Sequence, residues 1–200
     1  MTSTTSLAAD DLGSAAQRDR RRRILDATFG LASHGGFDAV QMRAVADQAD
    51  VALGTLYRYF PSKIHLLVSA LAREFEKADA ALSGGQVPGA SAADRVILVL
   101  GRSSRALRGD PQLAEALIRA FMFADRSVVE DIEHVDTLLT KMLTHALHPD
   151  PDDGNEDDVR IAHVIGDVWF AALVAWVTGR RSAEETADHL DTAVRLLLRT

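Results

Sequence analysis

The 200-residue sequence predicts an all-α protein, with a small N-terminal head and a larger helical body. Apolar residues recur at helical spacing in most long segments. Start signals for helices recur as well: Ser91 with Asp94, Asp110 followed by Pro111, Ser127 with Glu130, and Ser182 with Glu185. One run, Gln41 to Lys63 (QMRAVADQADVALGTLYRYFPSK), reads as two short helices joined by a tight turn.

Residues 1–16 are rich in Ser, Thr and Ala and show no period, so a disordered arm is expected, followed by the head at 17–63 and the body at 64–200. From Arg18 to His34 the pattern is helical, with Ile24, Leu25, Thr28, Leu31 and Ala32 facing inward and Gly35-Gly36 ending it. Arg20 to Arg23 crowd its start, where cations oppose the helix dipole. An anion such as phosphate would remove that penalty; a solvated charged face is the alternative.

Met42, Val45, Ala46 and Ala49 form one apolar stripe, Asp50-Val51 breaks it, and a second short helix follows from Ala52 to Phe60. There Leu56 and Phe60 face inward, while Leu53/Tyr57 and Gly54/Arg58 lie on outward stripes flanked by Thr55 and Tyr59. The outer face thus carries hydroxyls, a guanidinium and little bulk. Gly54 costs about 1 kcal/mol of helix propensity against Ala, which makes sense where another molecule, such as a DNA groove, must come close. Pro61 stops the helix, Ser62 caps the next, and Lys63 stands in that helix's first turn, unfavourable for a cation unless an anion is near.

Gly36-Phe37, the block from Met42 to Ala49 and the run GTLYRYFPSK resemble the DNA-binding domain of the TetR family of repressors. The resemblance implies a helix-turn-helix three-helix head, a C-terminal ligand-binding and dimerisation domain, and a homodimer on a palindromic double-stranded operator. Three positions depart from the family pattern. Asp50 stands where Gly is common, tolerable because Asp accepts left-handed geometry. Ala52 replaces a capping Ser or Thr, at a cost of about 1 kcal/mol, and Gln41 replaces a Thr. Candidates for base edges are Gln41, Arg43, Leu53, Gly54 and Thr55, and for phosphates Arg18, Tyr57, Tyr59 and Lys63; Met42, Ala52 and Arg58 complete the DNA-facing set.

The helix from Ser62 to Leu82 carries Ile64, Leu67, Val68, Leu71 and Phe75 at core spacing and links head to body. After a Pro/Gly loop, further helices are expected from Ser91 to about Gly109, from Asp110 through Phe121-Met122-Phe123, and from Ser127 through Leu143. The acidic segment HPDPDDGNEDD lacks the spacing of a calcium loop and is broken by prolines, so it reads as a solvated loop. His145 and His148 lack a third metal ligand at sensible spacing, and no metal is expected.

The last two helices, about Glu156 to Thr178 and Ser182 to Arg199, are apolar over more than one face. A second subunit would cover the excess; a large monomer core is the alternative. The TetR resemblance, in which these helices form a four-helix dimer interface, favours the dimer and makes Ile161, Val164, Ile165, Val168, Ala172, Leu190, Val194 and Leu197 the interface candidates.

Leu117, Phe121, Met122 and Met142, with Trp169, Phe170, Leu173 and Trp176, suit the lining of a ligand cavity, ordinary core being the alternative for each. Arg102, Arg105 and Arg108 recur every three residues, for an anionic ligand end or for a solvated face. LGSAAQRDRRRRILDAT, the head, and IGDVWFAALVAWVTGRRSAEE also resemble the family's repressors of cholesterol catabolism. That likeness implies an inducer that is a coenzyme A thioester of a 3-oxo-4-ene sterol acid. A fatty-acyl thioester or another hydrophobic molecule is the alternative.

Residues 18–63 carry a net +3 and the segments on either side −2 and −8, within a total of −7. Positive potential is therefore confined to the segment where phosphates would lie. No cysteine is present, so a reducing cytoplasm is expected and thiol chemistry is excluded. No uninterrupted apolar run approaches about 18 residues and the start lacks signal-peptide regions, so no membrane partner is expected. Without GxSxG, a phosphate loop, a dinucleotide fingerprint or HExxH, a small helical enzyme has no constellation to rest on, and no cofactor is expected.

Overall fold

The computed structural model describes residues 4–82, 85–148 and 155–199. Among these, no strand occurs. The helices are α1 (Thr4–Ala39), α2 (Met42–Gln48), α3 (Leu53–Tyr59), α4 (Lys63–Leu82), α5 (Ala92–Arg108), α6 (Pro111–Met122), α7 (Val129–Leu147), α8 (Glu156–Val177) and α9 (Ala183–Leu197), with a 3₁₀ turn at Arg126–Val128.

Helical backbone begins at Thr4, inside the segment expected to be an irregular arm. Ala and Leu are frequent there, and extending an existing helix adds one hydrogen bond per residue without a new nucleus. Residues 1–3 lie outside the described residues. At the other end, α1 is broken where Gly35-Gly36 predicted, with Gly36 in the left-handed region (φ 64°) and Phe37–Ala39 forming a separate turn.

The Ser91/Asp94 and Ser182/Glu185 capping boxes form as read, and Asp110 caps α6 with Pro111 in its first turn. Ser127 does not open α7. Asp125, two residues ahead, accepts from the Ser127 amide at 2.8 Å and its hydroxyl at 2.6 Å, an Asx turn that starts the 3₁₀ segment. At α8 the sequence reading missed a box, Asn155 with Asp158. The acidic loop before it, 149–154, lies outside the described residues.

Two apolar cores result. The head core gathers Ile24, Leu25, Ala32, Val45, Leu56 and Phe60, but also Leu66, Leu67, Val68 and Ala70 of α4 and Ala116, Leu117 and Ala120 of α6. The body core joins α4 to α9 around Val96, Ile118, Met142, Leu143, Ile165 and Trp169. No gap in packing falls at residue 63: α4 and α6 belong to both cores. By length and composition alone α8 is apolar enough to cross a membrane, contrary to the reading by uninterrupted runs. Its apolar excess has a use in the fold, because Ala162, Ile165, Trp169, Ala172 and Leu173 are buried in the body.

The α5 cap supplies a pH test. Hydrogen bonds from Ser91, then from Arg195, hold the Asp94 carboxyl below its ordinary value of 3.8. A folded pKa below the unfolded one means that the contribution is complete above the unfolded value and is lost as pH falls through the folded one. Thermal unfolding of Asp94→Ala between pH 2 and 6 is expected to show a deficit against the parent that shrinks as pH falls below about 3.8.

Candidate DNA-reading head and ligand cavity

In the head, α2 and α3 pack through Val45, Ala46 and Leu56, each at most 1% exposed. The turn between them passes through Asp50 at φ 52°, the left-handed position the sequence assigned to it. Arg23 closes α2 by donating from Nη1 to the Ala49 carbonyl at 2.6 Å. Both predicted weak starts are present: neither Gln41 nor Ala52 gives its helix a side-chain cap.

The outer surface of α3 presents Gly54, Tyr57 and Arg58 to solvent, and Gln41 and Arg43 are exposed at the start of α2. Among the described residues, nothing beyond its neighbours and the backbone of α3 itself lies within 4 Å of a Cβ built on Gly54. Ala52 is exposed as well, and Thr55 is half-buried. Met42 and Leu53 are half-buried and pack against the head core.

Beside this surface, Gln17, Arg20, Arg58 and Tyr59 form a small notch in which Arg20 Nη1 donates to the Tyr59 hydroxyl at 3.4 Å. Arg18 is exposed but does not line it. The arginine run therefore divides its labour: Arg20 joins the notch, Arg21 lies 5.7 Å over the Phe60 ring, Arg22 pairs with Asp19, and Arg23 caps α2. Consecutive helical residues point about 100° apart, so one run serves several faces.

Lys63 departs from its expected role as a free phosphate contact. Its ammonium donates to the Phe37 carbonyl at 2.8 Å and lies 4.1 Å over the Phe37 ring, and burial lowers its pKa. The carbonyl and the ring supply the electron density that the first turn of α4 denies it. Phe37 is held from α6 too: Glu115 accepts its amide at 3.1 Å, and the Arg119 guanidinium lies 4.5 Å over its ring. Arg119 also pairs with Asp38 at 3.5 Å.

A cavity of about 250 Å³ lies within the body, reached by Phe29 of α1 and walled by α4 to α8. Of the cavity candidates, Leu117, Phe121, Trp169, Phe170 and Leu173 line it; so do Phe29, Ile118 and Leu139, and Leu71 and Phe75, which the spacing reads as core. Trp169 is fixed by its Nε1–H bond to Ser104 at 2.9 Å and by an edge-on contact with Phe75. Arg102 and Arg105 are exposed on the far side of α5 and do not line the cavity, because α5 turns Val96, Val99, Ser103 and Leu107 inward. Met142, 2% exposed, is body core, Trp176 packs against that core, and Met122 is half exposed outside the cavity. The charged groups in the lining are all acidic: Glu74, Asp136 and Asp167.

Of the interface candidates, Val164 (46% exposed) and Leu197 (42%) reach solvent, and Ile161 and Val168 are half-buried. Ile165, Ala172, Leu190 and Val194 are at most 7% exposed within the subunit's own core and leave the interface set. The breadth of the apolar stripe on α8 concealed which half faced inward. Leu196, 52% exposed, was passed over in the Leu196–Leu198 run.

This architecture, a helix-turn-helix head packed on a helical body with an apolar cavity, is that of a ligand-responsive DNA-binding regulator. The model of bacterial regulatory proteins of the tetR family matches residues 24–70, and that of the tetracyclin repressor-like C-terminal domain matches residues 89–197. The chain belongs to the TetR family of transcriptional regulators. It is 51% identical over 202 residues to the HTH-type transcriptional repressor KstR of Mycolicibacterium smegmatis, covering 100% of this chain and 97% of that one. A TetR transcriptional regulator from Rhodococcus sp. RHA1 superposes with a TM-score of 0.82 at 32% identity, over 92% of this chain and 97% of the other. FadR from Bacillus subtilis, solved with stearoyl-CoA, shares the fold at a TM-score of 0.59 and 22% identity, over 88% and 97%.

Gly54 gives a sharp test of the reading face. On an exposed helix Ala is better than Gly by about 1 kcal/mol, so Gly54→Ala is expected to keep or raise thermal stability while weakening operator binding about tenfold or more. Tyr57→Phe is expected to weaken binding similarly on every sequence. Arg43→Ala is expected to relax preference at one base pair by about 1 to 3 kcal/mol. Anisotropy titrations on operator, point-mutated operator and random DNA separate the three; equal losses on specific and random DNA for Arg43→Ala would contradict its base-reading role.

Proposed function

We propose that this chain is a repressor of sterol (cholesterol) catabolism genes that binds a palindromic operator as a homodimer in the cytoplasm and is released by a steroid-acid coenzyme A thioester. Helix α6 carries the argument. Its Leu113, Leu117, Ile118 and Phe121 wall the cavity, while its Glu115 and Arg119 hold Phe37 of the head. The cavity of about 250 Å³ lies below the roughly 300–1,000 Å³ of pockets that enclose a drug-sized ligand. A four-ring acyl group therefore pushes the walls apart, and one of those walls is fastened to the DNA-reading head.

Such a ligand shifts the equilibrium only by its preference for the expanded state. In that state the Phe37 contacts and the head core rearrange together, and the two heads of the dimer lose their register on successive turns of DNA. Exposed Val164 and half-buried Val168 on α8, with exposed Leu196 and Leu197 on α9, form the face proposed to meet the second subunit. Gln41, Arg43, Gly54 and Thr55 would read bases, and Arg20, Tyr57, Arg58 and Tyr59 would hold phosphates. Lys63 has a positioning role at Phe37.

The sterol assignment draws on the full-length likeness to KstR. The apolar lining would also admit a fatty-acyl chain, and the stearoyl-CoA bound to the Bacillus FadR makes that the second reading. Gel shifts on a palindrome from the protein's own upstream region discriminate them. Release by the 3-oxo-4-ene sterol thioester, but not by coenzyme A or a straight-chain acyl thioester, is the expected result. Release by the straight-chain thioester alone would replace the sterol reading with the fatty-acyl one.

The α6 linkage predicts a separation of functions. Arg119→Gln removes its own stack on Phe37 and its pairs with Asp38 and Glu115, leaving Lys63 over the ring. It is expected to leave operator affinity within about threefold and to cut the ligand-dependent loss of affinity about tenfold, the size of a typical allosteric coupling. Comparing operator Kd with and without saturating thioester in parent and variant checks this; an unchanged ratio would remove Arg119 from the pathway.

A further inference from the structure

Three arginines of α1 reach the DNA-reading helix α3 at its two ends, and we infer that Arg23, aimed by Asp19, is a positioning residue that sets the pose of α3 and hence operator specificity, not a phosphate contact. The inference rests on the DNA-reading head alone and holds for either inducer.

Helix α3 needs holding. It spans only Leu53–Tyr59 and starts without a side-chain cap at Ala52, and isolated helices shorter than about 12 residues are marginal in water. Buried Leu56 and Phe60 seat it on the head core, but apolar contact is non-directional and leaves tilt and rotation open. The polar contacts are directional. At its start, Arg23 Nη1 donates to the Ala49 carbonyl at 2.6 Å and to the carbonyl of Asp50, the left-handed turn residue, at 3.4 Å. At its end, Arg20 Nη1 donates to the Tyr59 hydroxyl at 3.4 Å and Arg21 lies 5.7 Å over the Phe60 ring. Side chains of one helix thus hold both ends of α3.

Residues 18–63 carry the net positive charge, and a carboxylate among them repels phosphates. Asp19 nevertheless stands between Arg18 and Arg20. Its two oxygens are shared: Oδ1 pairs with Arg22 at 2.5 Å, and Oδ2 accepts from Arg23 Nε at 3.3 Å. The Arg22 hydrogen bond above all, with the Arg22 and Arg23 charges, holds its carboxyl below its ordinary value of 3.8 and so ionised at neutral pH. With Nε on Asp19 and Nη1 on two carbonyls, the Arg23 fork faces the protein. A solvated ion pair along α1 would explain the Asp19 contact but not two carbonyls that lie 26 and 27 residues away.

Base reading tolerates little error, because hydrogen bonds weaken steeply outside their preferred geometry. Phosphate contacts are sequence-independent and supply the salt dependence of binding. A positioning arginine and a phosphate arginine therefore leave different signatures.

Anisotropy titrations of the full-length protein over a range of salt, on random duplex and on the duplex the parent enriches from a random pool, test the inference. Arg23→Gln is expected to weaken binding to the enriched duplex about tenfold, the scale of one lost charge-assisted hydrogen bond, and to leave random-duplex affinity and its salt slope unchanged. Arg23→Lys is expected to recover part of the loss. Arg20→Gln, at a phosphate position, is expected to weaken both and to lower the slope by about one. Partial unfolding lowers the active fraction for both duplexes alike, so their affinity ratio separates pose from folding. Asp19→Asn keeps every arginine; it is expected to tighten random-duplex binding while lowering that ratio, and it decides the question where Arg23→Gln does not fold. An Arg23→Gln ratio equal to the parent's, or an Asp19→Asn ratio at or above it, would overturn the inference; a slope shallower by about one for Arg23→Gln would make Arg23 a phosphate contact instead. A parent that enriches no duplex would overturn the operator reading first and this inference with it.

Discussion

The grip on Phe37 is the contact on which the rest of the structure depends. Its amide is taken by Glu115, its carbonyl by Lys63, and its ring lies under both the Lys63 and Arg119 cations. These contacts join three elements distant in sequence, the end of α1, the start of α4 and the middle of α6. Gly36 makes the approach possible: it sits at φ 64°, and a Cβ there would stand 3.1 Å from the Glu115 carboxylate. An L residue at that position is strained by its backbone and crowded by the very group that must bind its neighbour.

Much of the fold was legible because its causes are local. Helix starts at Ser91, Asp110 and Ser182 are set by side chains within three residues of the amides they cap. Inward faces of α1 and α3 follow from spacing, and Ile24, Leu25, Leu56 and Phe60 are buried accordingly. Asp125 against Ser127 shows the limit even here, since two residues able to cap compete and the sequence does not rank them.

The site was legible in proportion to its locality. The reading face of α3 is one short helix, so period alone placed Gly54, Tyr57 and Arg58 outward. The cavity is built by α1 and α4 to α8, and nothing local distinguishes Phe121, which lines it, from Met142, which is core. The partner of Lys63 was hidden for the same reason. Its neighbours in sequence announced an unpaired cation at a helix start, whereas its partner Phe37 stands 26 residues away. Arg102, Arg105 and Arg108 are periodic, but only the packing of the opposite face of α5 shows that Arg102 and Arg105 point to solvent.

Sharing helices between two cores has a mechanical consequence. Leu117 of α6 is 1% exposed and belongs to the head core, yet it also lines the cavity in the body. Close-packed interiors deform little and rearrange between discrete packings instead. A ligand that displaces Leu117 therefore disturbs the head core by direct contact, and the Glu115 and Arg119 contacts two residues to either side shift with it, because one rigid helix carries all three. Coupling between cavity and DNA then requires no long chain of intermediates. In the proposed mechanism it follows from where α6 is placed, between the cavity it lines and the Phe37 contacts it makes.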